Sequence, residues 1–187
     1  MSRESTDESN DRDDALGEMM GYDKWPQDVA MDFERARGAA SLEYIKDLKG
    51  DFLPVVTMFR ALESEFVARV GDNEENIRQV RRIVTEMLFS AARDMNQPFE
   101  ECWKYWNDLQ KLGFYRIERR CDHTWMFAET CREHGQTDLG LSVLDPLIAE
   151  VERLRAEPSV TEQAATYYDE ELGFMRKLRA RLEAERG

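Results

Sequence analysis

From Trp25 onward, apolar residues recur at three- and four-residue spacing, the period of one buried helix face. Pro26 suits a first helical turn. Val29, Phe33, Ala36, Ala40, Tyr44 and Leu48 then mark the stripe of a helix ended at Gly50. Asp51 is placed to cap a second helix with the stripe Phe52, Val55, Phe59, Leu62, Phe66 and Val70, closed by Gly71. A third starts after Asp72, with Glu74 and Glu75 where the helix dipole favours negative charge. Its face is Ile77, Val80, Ile83, Val84, Met87, Leu88 and Met95, and Asn96-Gln97-Pro98 breaks the chain.

A fourth helix carries Phe99, Trp103, Trp106 and Leu109 and stops at Gly113; a fifth carries Phe114, Ile117, Cys121, Ala128 and Cys131 and stops at Gly135. In the next segment Thr137 or Asp138 is placed to cap a helix with Leu141, Leu144, Ile148, Val151 and Leu154. Pro146 lies inside it, so the sequence predicts either a kink or a fresh helix capped by Asp145. Pro158 and Ser159 set off a last helix with Ala164, Tyr168, Met175, Leu178 and Leu182. No segment alternates like a strand for more than a few residues. The expected fold is all-α: a single-domain antiparallel helical bundle or stacked helical hairpins of about seven helices over residues 22–187. Gly113 is the internal seam, too short to be a domain linker.

Composition adds a usable core and a strong acidic bias. The chain has 187 residues, 42% of them hydrophobic, with a net charge of −13. At this length folding buries roughly 70% of the surface the unfolded chain exposes. The charge argues against non-specific nucleic-acid binding by the whole surface and, for a charged partner, favours a basic one. Residues 1–21 hold seven acidic and two basic side chains and little to bury, which predicts a disordered acidic tail. There is no signal-peptide pattern and no apolar run of membrane-spanning length. The three cysteines form no Cys-x-x-Cys pair, so reduced thiols and a cytoplasmic setting are expected.

Candidate chemistry begins with Cys121-Asp-His123 and Cys131-Arg-Glu-His134, which gather both histidines and two of the three cysteines. All four are zinc-ligand types. On one helix, however, His123 and His134 are eleven residues apart, roughly 16 Å along the axis, too far to share an ion. Only Cys131 and His134 are neighbours, at i and i+3. The two cysteines fall on the buried stripe, and His134 in the last turn suits the dipole. The Glu-x-x-His repeat of di-iron bundles, His-Glu-x-x-His, glycine-rich phosphate loops and Gly-x-Ser-x-Gly are all absent from the sequence. No catalytic residue, metal ligand set or cofactor is therefore assigned.

Two Arg-x-x-Arg-Arg triplets, Arg78/Arg81/Arg82 and Arg116/Arg119/Arg120, each gather guanidinium groups on a helix flank. They allow binding of phosphate ligands or nucleic acid, or salt-bridging with the many carboxylates. Eight of the nineteen aromatic residues lie between Phe99 and Phe127. This is more than one helix face can hide, and it places a candidate partner surface at Trp103, Tyr105, Trp106 and Trp125.

Residues 121–152 resemble a single tetratricopeptide-type hairpin. Phe127 and Ala128 give a large residue followed by a small one, Gly135 sits in the turn, and Gly140 takes the small position on the second helix ahead of Leu144 and Leu147. Thr124, Cys131, Pro146 and Glu152 depart from the pattern, and no second copy lies 34 residues away. The resemblance implies a helical hairpin shape. The functional expectation is a non-enzymatic interaction module (an adaptor, accessory subunit or immunity-type binder) with a protein partner. Homo-oligomerisation is compatible with it and membrane binding is not expected. Nucleic-acid or phosphate-ligand binding through the arginine flanks is the alternative, and a metal-dependent enzyme comes third.

Overall fold

The computed structural model describes residues 24–46, 48 and 50–186; the acidic segment 1–21 lies outside them. The described residues form seven α-helices and no strand: α1 (Gln27–Lys46), α2 (Phe52–Arg69), α3 (Glu74–Asp94), α4 (Phe99–Leu112), α5 (Ile117–Glu133), α6 (Thr137–Arg155) and α7 (Glu162–Glu185). The all-α fold expected from the periodicity is the one observed.

Local chemistry explains most boundaries. Asp51 caps α2 by accepting from the Leu53 N–H at 3.2 Å. The cap of α3 is Asn73 rather than Asp72; its carbonyl oxygen accepts from Glu75 and Asn76. Thr161 caps α7 through Ala164. Helix α5 ends in a Schellman turn: Gly135, at φ +68°, donates to Arg132, and Gln136 donates to Cys131 at 2.7 Å. Asn96, at φ +51°, plays the same part after α3, with Gln97 bonded back to Ala92.

Two expectations are corrected. Of the two outcomes expected at Pro146, a fresh helix capped by Asp145 does not form, for α6 runs unbroken from Thr137 to Arg155 with the proline inside it. Pro146 and Ser142, whose carbonyl loses its usual donor to the proline, are both exposed residues, while Leu144, Leu147, Ile148 and Val151 are buried on either side of the proline. Leu48 is not part of the α1 stripe. It lies beyond the end of the helix and is exposed, whereas Val29, Phe33 and Ala40 are buried as the spacing predicts.

The chain contacts gather into two compact units, one reaching Gln97 and including Asn107–Gly113, the other comprising Pro98–Trp106 and the residues from Phe114 onward. In the first, α1, α2 and α3 pack in sequence order. The predicted stripe of α2 is buried in full, and Phe33 lies edge-on to Phe66 at 4.9 Å. Each such fully buried aromatic contributes about 1.5–3 kcal/mol of burial energy. In the second unit, α5 and α6 form the hairpin that the resemblance implied, and α7 lies against both. Its aliphatic core joins Cys121 and Ala128 to Leu141, Leu144, Leu147, Ile148 and Val151 of α6 and Leu172, Met175, Leu178 and Leu182 of α7. Gly140 lets these helices approach: a Cβ there would stand 3.1 Å from Leu182 and 3.2 Å from the Cys131 Cβ.

Candidate functional site

The aromatic residues expected to form one surface are divided by the structure. Tyr105 and Trp106 are only 1% and 3% exposed and belong to the core. Trp106 stacks flat on Phe127, centroids 4.5 Å apart and planes 4° from parallel, and Trp103 lies 5.5 Å from the same ring. Phe99 extends the stack toward the exposed ring of His134. Trp125 is elsewhere, packed against the aliphatic core of the α5–α6 hairpin and α7. Only Trp103 and Trp125 are partly exposed, and they belong to different clusters. Tyr105 and Trp106 are thus corrected from partner surface to interior. The fourth helix is buried on more than the single face its spacing implied.

The cysteines are interior as expected. Burial pushes the Cys121 thiol up to about 12, with Glu171 adding to the effect, and burial, then Cys102, does the same to Cys131. Such thiols are uncharged at neutral pH and are not nucleophiles. His123 is buried, its Nδ1 2.8 Å from the Arg119 carbonyl, while His134 is the exposed C-cap of α5. Among the described residues, no three His, Cys, Asp or Glu side chains gather where they could hold a metal ion. On α7, Glu171 is half-buried, and burial, then Asp122 and Glu170, raises its carboxyl above the usual range.

The arginine flanks fare differently from each other. Arg120 is paired with Glu150 across the hairpin, and Arg116 lies over the Tyr115 ring at 5.5 Å. The Arg119 side chain is half-buried. On α3, Arg78 and Arg82 both reach Glu75, at 3.5 and 3.6 Å, and Arg81 reaches Glu63 of α2 at 3.8 Å. The last helix is more tightly paired: Arg176 with Glu152 and Arg179 with Asp145, both at 2.7 Å, and Arg181 with Glu129 at 3.1 Å. Arg82 stands apart because it is buried.

The surface feature that sequence reasoning missed lies at the α1–α2 turn. Leu42, Ile45, Leu48 and Leu53 account for four of the seven large apolar side chains exposed among the described residues, and they fall within twelve positions. Leu42 is 62% exposed and Leu53 67%. Leu42 and Ile45, three apart, share one face of α1, and the exposed Gly38 lies one turn earlier. The available signal was that Leu42 and Ile45 fall off the Val29/Phe33/Ala40 stripe. No helix among the described residues is long and apolar enough to cross a membrane. No protein-family model, curated protein or solved structure matches the chain.

Proposed function

We propose that the chain is a non-enzymatic helical interaction module whose docking surface is the outer face of the α1–α2 turn. The observation that carries this reading is the exposed set Leu42, Ile45, Leu48 and Leu53. Four large apolar side chains left exposed within twelve residues at one helix–helix turn, rather than scattered singly along the chain, are the kind of feature that another molecule removes from water. Trp103 and Trp125 are weaker candidates because their faces are already partly covered within separate clusters.

The occupant proposed is a protein with an apolar helix or groove rimmed by basic residues. The chain carries 39 acidic against 26 basic side chains, so a basic rim is attracted over the whole approach. An accessory or adaptor role in the cytoplasm fits this chemistry.

The test is a capture experiment from the native host, run with the wild-type chain and with a Leu42→Glu/Ile45→Glu double variant. Both positions are exposed, so each change is expected to alter stability by no more than about 0.5 kcal/mol. The expected result is a partner retained by the wild type and by Trp125→Phe, lost by the double variant, and weakened by salt. Equal retention by the double variant, with its helical signal and melting temperature intact, would refute the surface assigned.

A further inference from the structure

The geometry points to a binding site for a phosphate-class oxyanion between Arg78 and Arg82 of α3, in which the Glu75 carboxylate is the occupant that the ligand displaces. Arg82 is the central observation. Its side chain is 6% exposed, and its Nε and Nη1 find no hydrogen-bond partner among the described residues. The third nitrogen, Nη2, donates to the Leu112 carbonyl at 3.5 Å and lies 3.6 Å from Glu75. A guanidinium does not shed its proton, so burial leaves the charge in place. A buried charge is tolerated when it is paired and hydrogen-bonded, and Arg82 is neither at close range.

Glu75 sits in the position a ligand would take. One of its oxygens is 3.5 Å from Arg78 and the other 3.6 Å from Arg82. Charge-assisted N–H···O contacts close to about 2.7–2.9 Å when they are satisfied, so both arms are stretched. One carboxylate, with two oxygens, is shared by two guanidinium groups that together offer ten N–H donors. A tetrahedral oxyanion carries more acceptor oxygens and more charge than a carboxylate, and arginine forks match its geometry. Arg78 and Arg82 are four residues apart and project from one flank of α3. Arg78, half-exposed, gives the entry, and Arg82 the buried end. Arg81 points away, toward Glu63 of α2, and is outside the site.

The experiment titrates the full chain with inorganic phosphate, against chloride at equal ionic strength, by calorimetry and thermal shift. Saturable binding and stabilisation by phosphate, not matched by chloride, are expected. Arg78→Met and Arg82→Met should each weaken phosphate binding by about tenfold or more, the loss of charge-assisted hydrogen bonds. Glu75→Gln should tighten it, because the competing carboxylate is gone; a variant that merely damaged the fold would not bind more strongly. Equal responses to phosphate and chloride would overturn the assignment. So would unchanged affinity in Arg78→Met, whose exposed side chain can be replaced without opening the core, or weaker binding in Glu75→Gln.

Discussion

Replacing Gly140 by alanine separates two opposed effects whose sizes are known. In a helix interior, alanine in place of glycine is favoured by about 1 kcal/mol. At Gly140 the new methyl would meet both Leu182 methyls, at 3.1 and 3.2 Å, and the Cys131 Cβ, at 3.2 Å. Leu182 and Cys131 are fully buried, and a Cβ cannot rotate out of the way. Relief therefore requires α6 to move by a few tenths of an ångström away from α5 and α7. Overpacking of this kind costs about 1–3 kcal/mol, so the expected net effect is a destabilisation of about 1 kcal/mol. For a chain of this size that is about 2–4 °C in melting temperature. Gly38 and Gly173 supply the internal standard, since nothing stands within 4 Å of a Cβ built at either. Gly38→Ala and Gly173→Ala should each raise stability by up to about 1 kcal/mol. Urea denaturation at matched slopes measures all three, and a Leu182→Ala background should shrink or reverse the Gly140→Ala penalty. If Gly140→Ala raises the midpoint as much as Gly173→Ala does, the close approach of α6 to its neighbours is refuted.

Three further outcomes are expected. Burial, with Asp122 and Glu170, raises the Glu171 carboxyl in the folded state. Its ionisation therefore opposes folding once pH rises above the unfolded value of about 4.5. Glu171→Gln should thus stabilise the protein at neutral pH, with the gain disappearing in urea titrations below that value. All three cysteines are buried, so a thiol reagent should label them only at the rate of unfolding; fast labelling of the native chain would contradict the burial of Cys121 and Cys131. Asn73→Ala removes the acceptor for two α3 N–H groups and should cost about 1 kcal/mol by chemical denaturation, whereas Asp72→Ala should cost far less.

What the sequence determined by itself was the local part. Asp51, Gly71, Asn96-Gln97-Pro98, Gly113 and Gly135 stop or start helices through forces acting within a few residues, and each acts where the sequence places it. The α2 stripe and the inward cysteines follow from period alone, because a helix has one set of neighbours per face. The Arg-x-x-Arg-Arg triplet on α3 was also visible. Tertiary structure decided which of those arginines is buried. Residues 81 and 82 differ by 100° around the helix, and only the approach of the Leu112 carbonyl and of α2 turns one inward and leaves the other out. The same holds for the tryptophans. Trp103 and Trp106 share a helix face, yet only Trp106 lies flat on Phe127 and is hidden. Pro146 stays within a continuous helix because long-range burial on either side outweighs a local defect, and Leu42 and Ile45 are left in water because no described helix covers that side of α1. Period fixes which residues share a face; only the packed neighbours fix how much of that face is covered.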